Sequence, residues 1–90
     1  MNNRGYRWYV LARVSPVLGE HPVKGAEYRF VQWTKVKETA RTACDTLDRR
    51  GLQGIMVFSG SRRQAVTDVR SLFGVTVRGY DSKGALIKAS

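Results

Sequence analysis

The chain has 90 residues, with sixteen Lys or Arg against seven Asp or Glu, so its formal net charge is +9 at pH 7. Its 42% content of hydrophobic residues excludes a disordered basic tail, and its short apolar runs exclude a transmembrane helix. An excess of positive charge on this scale repels itself and predicts an anionic partner.

The length fits one compact domain over residues 1–90, and the N-terminus lacks the apolar stretch of a signal peptide, so we expect a cytoplasmic protein. Cys44 is the only cysteine, which excludes an intramolecular disulfide and a zinc knuckle. The only histidine, His21, lies in a loop rich in Gly and Pro. No spacing of residues is typical of a metal site or a catalytic site, so the sequence predicts a protein that is not an enzyme and has no cofactor.

The first predicted element is a strand over residues 6–14, because polar and apolar side chains alternate there. One face is apolar and is expected to face the core: Trp8, Val10, Ala12 and Val14. The other face mixes cations with an aromatic ring and is expected to face outward: Arg7, Tyr9, Leu11 and Arg13. A loop with Pro and Gly follows over residues 15–26, and its role stays open. Residues 27–33 form a second strand, expected to pair antiparallel with the first.

Two helices are predicted in the rest of the chain. The first runs over residues 34–50, with Thr34 as its cap and Gly51 at its end. An apolar run at residues 55–58 is typical of a central strand buried on both faces. The second helix runs over residues 62–73 and ends at Gly74. Strands over residues 75–80 and 85–88 complete the chain.

These elements follow one another in the order β-β-α-β-α-β-β. Because each helix lies between two strands, we expect right-handed crossovers between parallel strands. The sequence therefore predicts an α/β (α+β) fold. It is a two-layer sandwich, with both helices on one face of a mixed sheet of four or five strands.

The sharpest local signal is the turn at residues 59–63, between a predicted strand and a predicted helix. Two arginines in the first helical turn oppose the helix dipole, unless an anion binds there and reverses the sign. The predicted anion site contains the turn and one arginine further along the same helix face: Ser59, Gly60, Ser61, Arg62, Arg63 and Arg70. The alternative is a solvated helix end whose arginine stems cover apolar surface.

The outward face of the first strand is the second candidate surface. Arginines interleaved with aromatic rings on a sheet can hold phosphates while the rings stack on bases. The residues of this predicted surface are Arg7, Tyr9, Arg13, Arg29 and Trp33. The same face is also suited to a small hydrophobic cluster or to a homodimer contact.

The sequence thus predicts a small non-enzymatic domain that binds nucleic acid, DNA or RNA, through an Arg-rich surface. The alternative is an inhibitor or adaptor of the kind that phages and plasmids encode, which docks on an acidic protein surface or a nucleoprotein complex. A membrane partner is not expected, because neither predicted helix combines a basic face with a bulky apolar one.

Overall fold

The computed structural model describes residues 4–14 and 25–87, so most of the predicted 15–26 loop, with His21, lies outside the described residues. Its elements, in chain order, are β1 (Arg7–Arg13), β2 (Glu27–Thr34), α1 (Lys37–Arg49), β3 (Gly54–Ser59), α2 (Arg62–Phe73) and β4 (Thr76–Val77). The predicted last strand is reduced to an isolated bridge between Tyr80 and Leu86, and Lys88 lies outside the described residues. The protein is an α+β fold, with four strands where four or five were expected.

The four strands form one mixed sheet in the order β3-β1-β2-β4. β1 pairs antiparallel with β2, as predicted, and also antiparallel with β3, whereas β2 and β4 are parallel. The central, doubly buried strand is therefore β1 and not β3. Four consecutive residues of β1 are buried: Tyr9, Val10, Leu11 and Ala12. The prediction of an outward face on the first strand was wrong, because both of its faces are covered.

The two helices lie on opposite faces of the sheet, which corrects the two-layer prediction. Tyr9 and Leu11 pack in one cluster with Val66 of α2, whereas Val10 packs in a second cluster with Ala40 of α1. Successive residues of a strand point to opposite faces, so the clusters occupy opposite sides of β1. The strand order is the cause. The connection from β2 to β3 crosses the sheet in one direction, and the connection from β3 to β4 crosses it in the opposite direction. Two crossovers of the same hand then place their helices on different faces.

The predicted ends of both helices agree with the structure, whereas the predicted start of α1 does not. Thr34 does not cap α1, because its Oγ1 accepts a hydrogen bond from Val36 N at 3.1 Å, and Val36 itself occupies the N-cap. In contrast, α2 covers the predicted residues, with the Ser61 hydroxyl as its N-cap and Gly74 in the left-handed conformation at its C-cap. Among the described residues, no helix is long and apolar enough to cross a bilayer.

A close approach of backbone fixes β3 against α1. A Cβ added at Gly54 would lie 2.9 Å from Cys44 Cα, so the helix can approach only a glycine at this point. Asp48 Oδ1 accepts a hydrogen bond from Gly54 N at 2.8 Å, and this bond holds the end of α1 to the start of β3.

Candidate nucleic-acid interface

One end of the sheet collects residues from both predicted surfaces. β1 begins where β2 and β3 end, so Arg7 lies opposite Ser59 and Trp8 lies opposite Thr34. Both helices follow directly, with α1 beginning at Lys37 and α2 at Arg62. We call this end the carboxyl edge: the start of β1, the ends of β2 and β3, and the first turns of α1 and α2. Helix N-termini carry partial positive charge, so this edge favours anions.

An arginine and a tryptophan from neighbouring strands stack at this edge. The Arg7 guanidinium carbon lies 4.2 Å from the centre of the Trp33 ring. Trp33 pairs with Tyr9, which places both aromatic rings on the α2 face of the sheet. Trp33 remains 47% exposed, and Arg7 Nε is buried without a hydrogen-bond acceptor among the described residues. The stack therefore combines an exposed aromatic ring with a guanidinium group whose buried Nε has no acceptor among the described residues.

A second pair of the same kind lies beside the first. The Arg62 guanidinium carbon is 5.5 Å from the centre of the Phe30 ring. Phe30 also makes edge contacts with Tyr9 at 5.6 Å and with Tyr80 at 5.4 Å between ring centres. Sequence reasoning missed Phe30, because strand alternation alone puts it on the opposite face from Trp33.

A bulge explains this arrangement. Val10 pairs with Gln32 and Leu11 pairs with Phe30, so one residue of β2, Val31, is left without a partner in β1. The extra residue shifts the alternation of side chains by one position. Phe30 and Trp33, three apart in sequence, consequently share the α2 face of the sheet.

The α1 face of the carboxyl edge carries more aromatic rings. Phe58 lies 5.1 Å from Trp8 and 5.4 Å from Tyr6 between ring centres. Lys37 Nζ lies 5.5 Å from the centre of the Trp8 ring. The sequence placed Trp8 on a core face, and it is only partly buried. The carboxyl edge thus has aromatic rings with cations over them on both faces of the sheet.

The two serines of the 59–63 turn form hydrogen bonds within the protein. Ser59 is fully buried and its hydroxyl donates to Asp68 Oδ2 at 3.0 Å. Ser61 Oγ accepts from Gln64 N, and Gly60 N donates to Gln64 Oε1. Both hydroxyls form hydrogen bonds with α2. We therefore expect only Arg62, Arg63 and their backbone N–H groups to contribute to anion binding at this turn.

Arg63 is partly structural. A Cβ added at Gly84 would lie 2.5 Å from Arg63 O, so the turn over residues 81–84 packs directly on the backbone of α2. Asp81 lies in that turn and accepts backbone hydrogen bonds from Ala85 and Lys83, which lower its pKa, and the charge of Arg63 lowers it further. Arg63 therefore already has an acidic neighbour.

The remaining predicted site residues do not join the carboxyl edge. Tyr9 is only 5% exposed, so it cannot stack on a ligand. Arg13 lies at the other end of β1, about 20 Å from Arg7 at roughly 3.3 Å per residue, and donates to Gln53 Oε1. Arg29 is exposed but pairs with Ala12, on the α1 face. Arg70 lies in the last turn of α2, where a cation stabilises the helix dipole.

Outside the carboxyl edge, the described residues offer few groups that could bind a metal ion or act as a nucleophile. Within the described residues, no group of three His, Cys, Asp or Glu is arranged to hold a metal ion. Cys44 is buried, and burial, followed by the charges of Asp48 and Asp45, raises the pKa of its thiol to about 11. A thiol with such a pKa stays protonated and is a poor nucleophile at neutral pH. No protein-family model, no curated protein and no solved structure matches this chain.

Proposed function

We propose that this chain is a non-enzymatic nucleic-acid-binding domain that holds single-stranded DNA or RNA at the carboxyl edge. The observation that carries the proposal is the stack of Arg7 on Trp33 with the tryptophan ring left 47% exposed. An exposed ring can stack on an unpaired base of any sequence, whereas bases in a duplex have no free face to offer. The adjacent guanidinium contributes a contact to phosphate.

The charges around Trp33 support a path for the phosphate backbone. Arg7 and Arg62 lie on the α2 face, and Lys37 lies at the start of α1 on the other face. Lys35 is exposed between the end of β2 and α1. These four cations come from β1, the segment that joins β2 to α1, and the first residue of each helix. Stacking on Trp33 is expected to contribute about 1–3 kcal/mol per base.

Binding of a fluorescently labelled single-stranded oligonucleotide, followed by anisotropy at low salt, tests the proposal. The wild-type chain should bind it more tightly than the matching duplex, and Trp33→Ala should weaken single-strand binding most. Arg29→Gln is the matched control for arginine changes at the edge, because Arg29 is exposed but lies on another part of the sheet. Equal binding of single strand and duplex, unaffected by Trp33→Ala, would overturn the assignment.

A protein with an acidic surface is the competing partner for the same edge. Capture from a nuclease-treated lysate separates the two classes. Retention that disappears with the nucleic acid supports the proposal, and a stoichiometric acidic protein that survives nuclease and competes with the oligonucleotide contradicts it.

A further inference from the structure

The two most exposed aromatic rings of the described residues lie on opposite faces of the sheet. Trp33 in β2 is 47% exposed, and Phe58 in β3 is 38% exposed. Trp33 pairs with Tyr9 and Phe58 pairs with Trp8, and successive residues of β1 point to opposite faces. Because β1 separates β2 from β3, the two backbones lie about 10 Å apart, twice the spacing of neighbouring strands. Both rings belong to the carboxyl edge, so a strand of nucleic acid that stacks on Trp33 can extend over the end of the sheet to Phe58.

Phe58 is packed by its neighbours without being covered by them. The centres of the Tyr6 and Trp8 rings lie 5.4 Å and 5.1 Å from the centre of the Phe58 ring. Both neighbours are tilted, by 46° and 40°, so neither stacks face to face on Phe58. These contacts restrict the ring while it stays exposed. Phe58 therefore offers a pre-positioned aromatic surface to a base, as Trp33 does.

The charges beside Phe58 favour a phosphate on the α1 face. Lys37 Nζ lies 5.5 Å from the centre of the ring of Trp8, the cross-strand partner of Phe58. Lys37 is also the first residue of α1, and Val36 at the N-cap makes no side-chain hydrogen bond to the first turn. The partial positive charge of this helix end therefore adds to the charge of Lys37.

The α2 face of β3 carries a charge of the opposite sign. Ser59 points to this face, and its hydroxyl donates to Asp68 Oδ2 at 3.0 Å. The cation at the start of α2, Arg62, lies over Phe30 in β2 and not beside β3. A phosphate backbone that begins at Trp33 on the α2 face is consequently attracted to the α1 face where it reaches β3.

We propose that Phe58 is a second stacking site for the same nucleic-acid strand, which crosses the end of the sheet from Trp33 on the α2 face to Phe58 on the α1 face. The inference rests on the proposed function, because it assigns the path of the strand that Trp33 binds. Lys35 and Lys37 lie along the crossing, between the end of β2 and the first turn of α1. The ligand is then a single strand long enough to reach both rings. Because the sugar–phosphate backbone joins the two stacked bases, binding is bivalent and strengthens with strand length.

The dependence of affinity on strand length tests the second site. Anisotropy would compare a labelled thymidine trinucleotide with an oligothymidylate of about eight nucleotides, within the usual site size of about 4–16 nucleotides. Phe58→Leu keeps an apolar side chain but removes the ring, and it should weaken binding of the longer strand by at least about fivefold, the value of one stacked base. Binding of the trinucleotide, which cannot span both rings, should change much less. Phe58→Tyr should bind like the wild type, and Leu72→Ala, at a 68% exposed side chain of α2, is the matched control that leaves both affinities unchanged.

The outcomes separate this inference from the proposed function. Absence of single-strand binding, or binding that does not depend on Trp33, contradicts the proposed function itself. Binding that requires Trp33 but is equally tight in Phe58→Leu and the wild type overturns the second stacking site alone.

Fluorescence of Trp8 provides a test that leaves Phe58 in place, in case Phe58→Leu does not fold. The chain has two tryptophans, so Trp33→Phe leaves Trp8 as the only one, with its ring 5.1 Å from that of Phe58. Saturation with the longer strand should quench or shift the emission of Trp8, and sodium phosphate at equal ionic strength should not. Emission that is unchanged at saturation overturns the second site.

Discussion

Arg7 lies with its guanidinium carbon 4.2 Å from the centre of the Trp33 ring, and the two residues come from neighbouring antiparallel strands. The Arg7 guanidinium packs on the Trp33 ring while the ring stays 47% exposed, so this contact restricts the ring before any ligand binds. A pre-positioned ring loses less conformational entropy on binding than a free one.

Removal of the exposed ring should separate binding from stability. Trp33→Ala is expected to weaken single-stranded oligonucleotide binding by about 1–3 kcal/mol, the usual value of one stacked base. The midpoint of thermal unfolding should fall only slightly, because Trp33 is outside the buried core. Trp33→Phe should retain part of the affinity. A loss of affinity in Trp33→Ala that merely follows a large loss of stability would indicate a structural role instead.

Arg62 experiences two opposing effects in the free protein. Its charge at the start of α2 opposes the helix dipole at a cost of about 0.3–1 kcal/mol, while its contact with Phe30 contributes about 0.5–1 kcal/mol. Arg62→Gln should therefore change the free energy of unfolding by less than about 0.5 kcal/mol. Oligonucleotide affinity should nevertheless fall. Chemical denaturation and anisotropy measure the two effects, and a strongly destabilised Arg62→Gln chain would show that this arginine is structural.

The turn over residues 81–84 should be sensitive at one glycine and tolerant at another. Gly84 has a φ of +83° and its added Cβ would meet Arg63 O, whereas Gly79 has a φ of +88° with open space around it. Gly79→Ala should cost about 1–2 kcal/mol for the left-handed backbone alone. Gly84→Ala should cost clearly more, because the turn must also move away from α2. Equal losses in the two variants, measured by thermal unfolding, would show that the turn does not pack on Arg63.

Cys44 should make stability depend on pH at the alkaline end. Burial, with the charges of Asp48 and Asp45, raises the pKa of its thiol in the folded chain from 9.0 to about 11. The unfolded chain therefore loses this proton first, and the contribution of the thiol to stability is present below pH 9 and is lost as the pH rises to about 11. The stability difference between wild type and Cys44→Ala should narrow across this interval in denaturant titrations. A constant difference from pH 8 to pH 11 would argue against a buried thiol.

Local sequence patterns were sufficient for much of the secondary structure. The apolar stripe and flanking glycines predicted α2 and its end at Gly74, and the short apolar run predicted β3. Thr34 was misassigned because its hydroxyl bonds two residues ahead, to Val36 N, and the helix begins later. Such competition between a cap and a short turn depends on backbone geometry that residue types do not determine.

The layer structure and the grouping of the site residues depend on contacts between residues that are far apart in the sequence. Alternation in β1 cannot reveal that Tyr9 is covered, because the covering helix is more than fifty residues away in the chain. The strand order decides on which face of the sheet each helix lies, and no local sequence pattern reveals the strand order. Phe30 joins Trp33 only because of the bulge at Val31. The sequence therefore identified Arg7, Trp33 and Arg62 as candidates, but it could not indicate that they meet at one edge.

The salt dependence of single-stranded oligonucleotide binding tests the central claim most directly. Four cations of the carboxyl edge are candidates for phosphate contacts: Arg7, Lys35, Lys37 and Arg62. If three or four of them contact phosphates, the logarithm of the binding constant should fall with the logarithm of salt concentration at a slope of roughly −2 to −3. Arg7→Gln combined with Arg62→Gln should reduce the slope by about one unit or more, and Arg29→Gln should leave it unchanged. Absence of binding at low salt, or an unchanged slope in the double variant, would contradict a nucleic-acid interface at this edge.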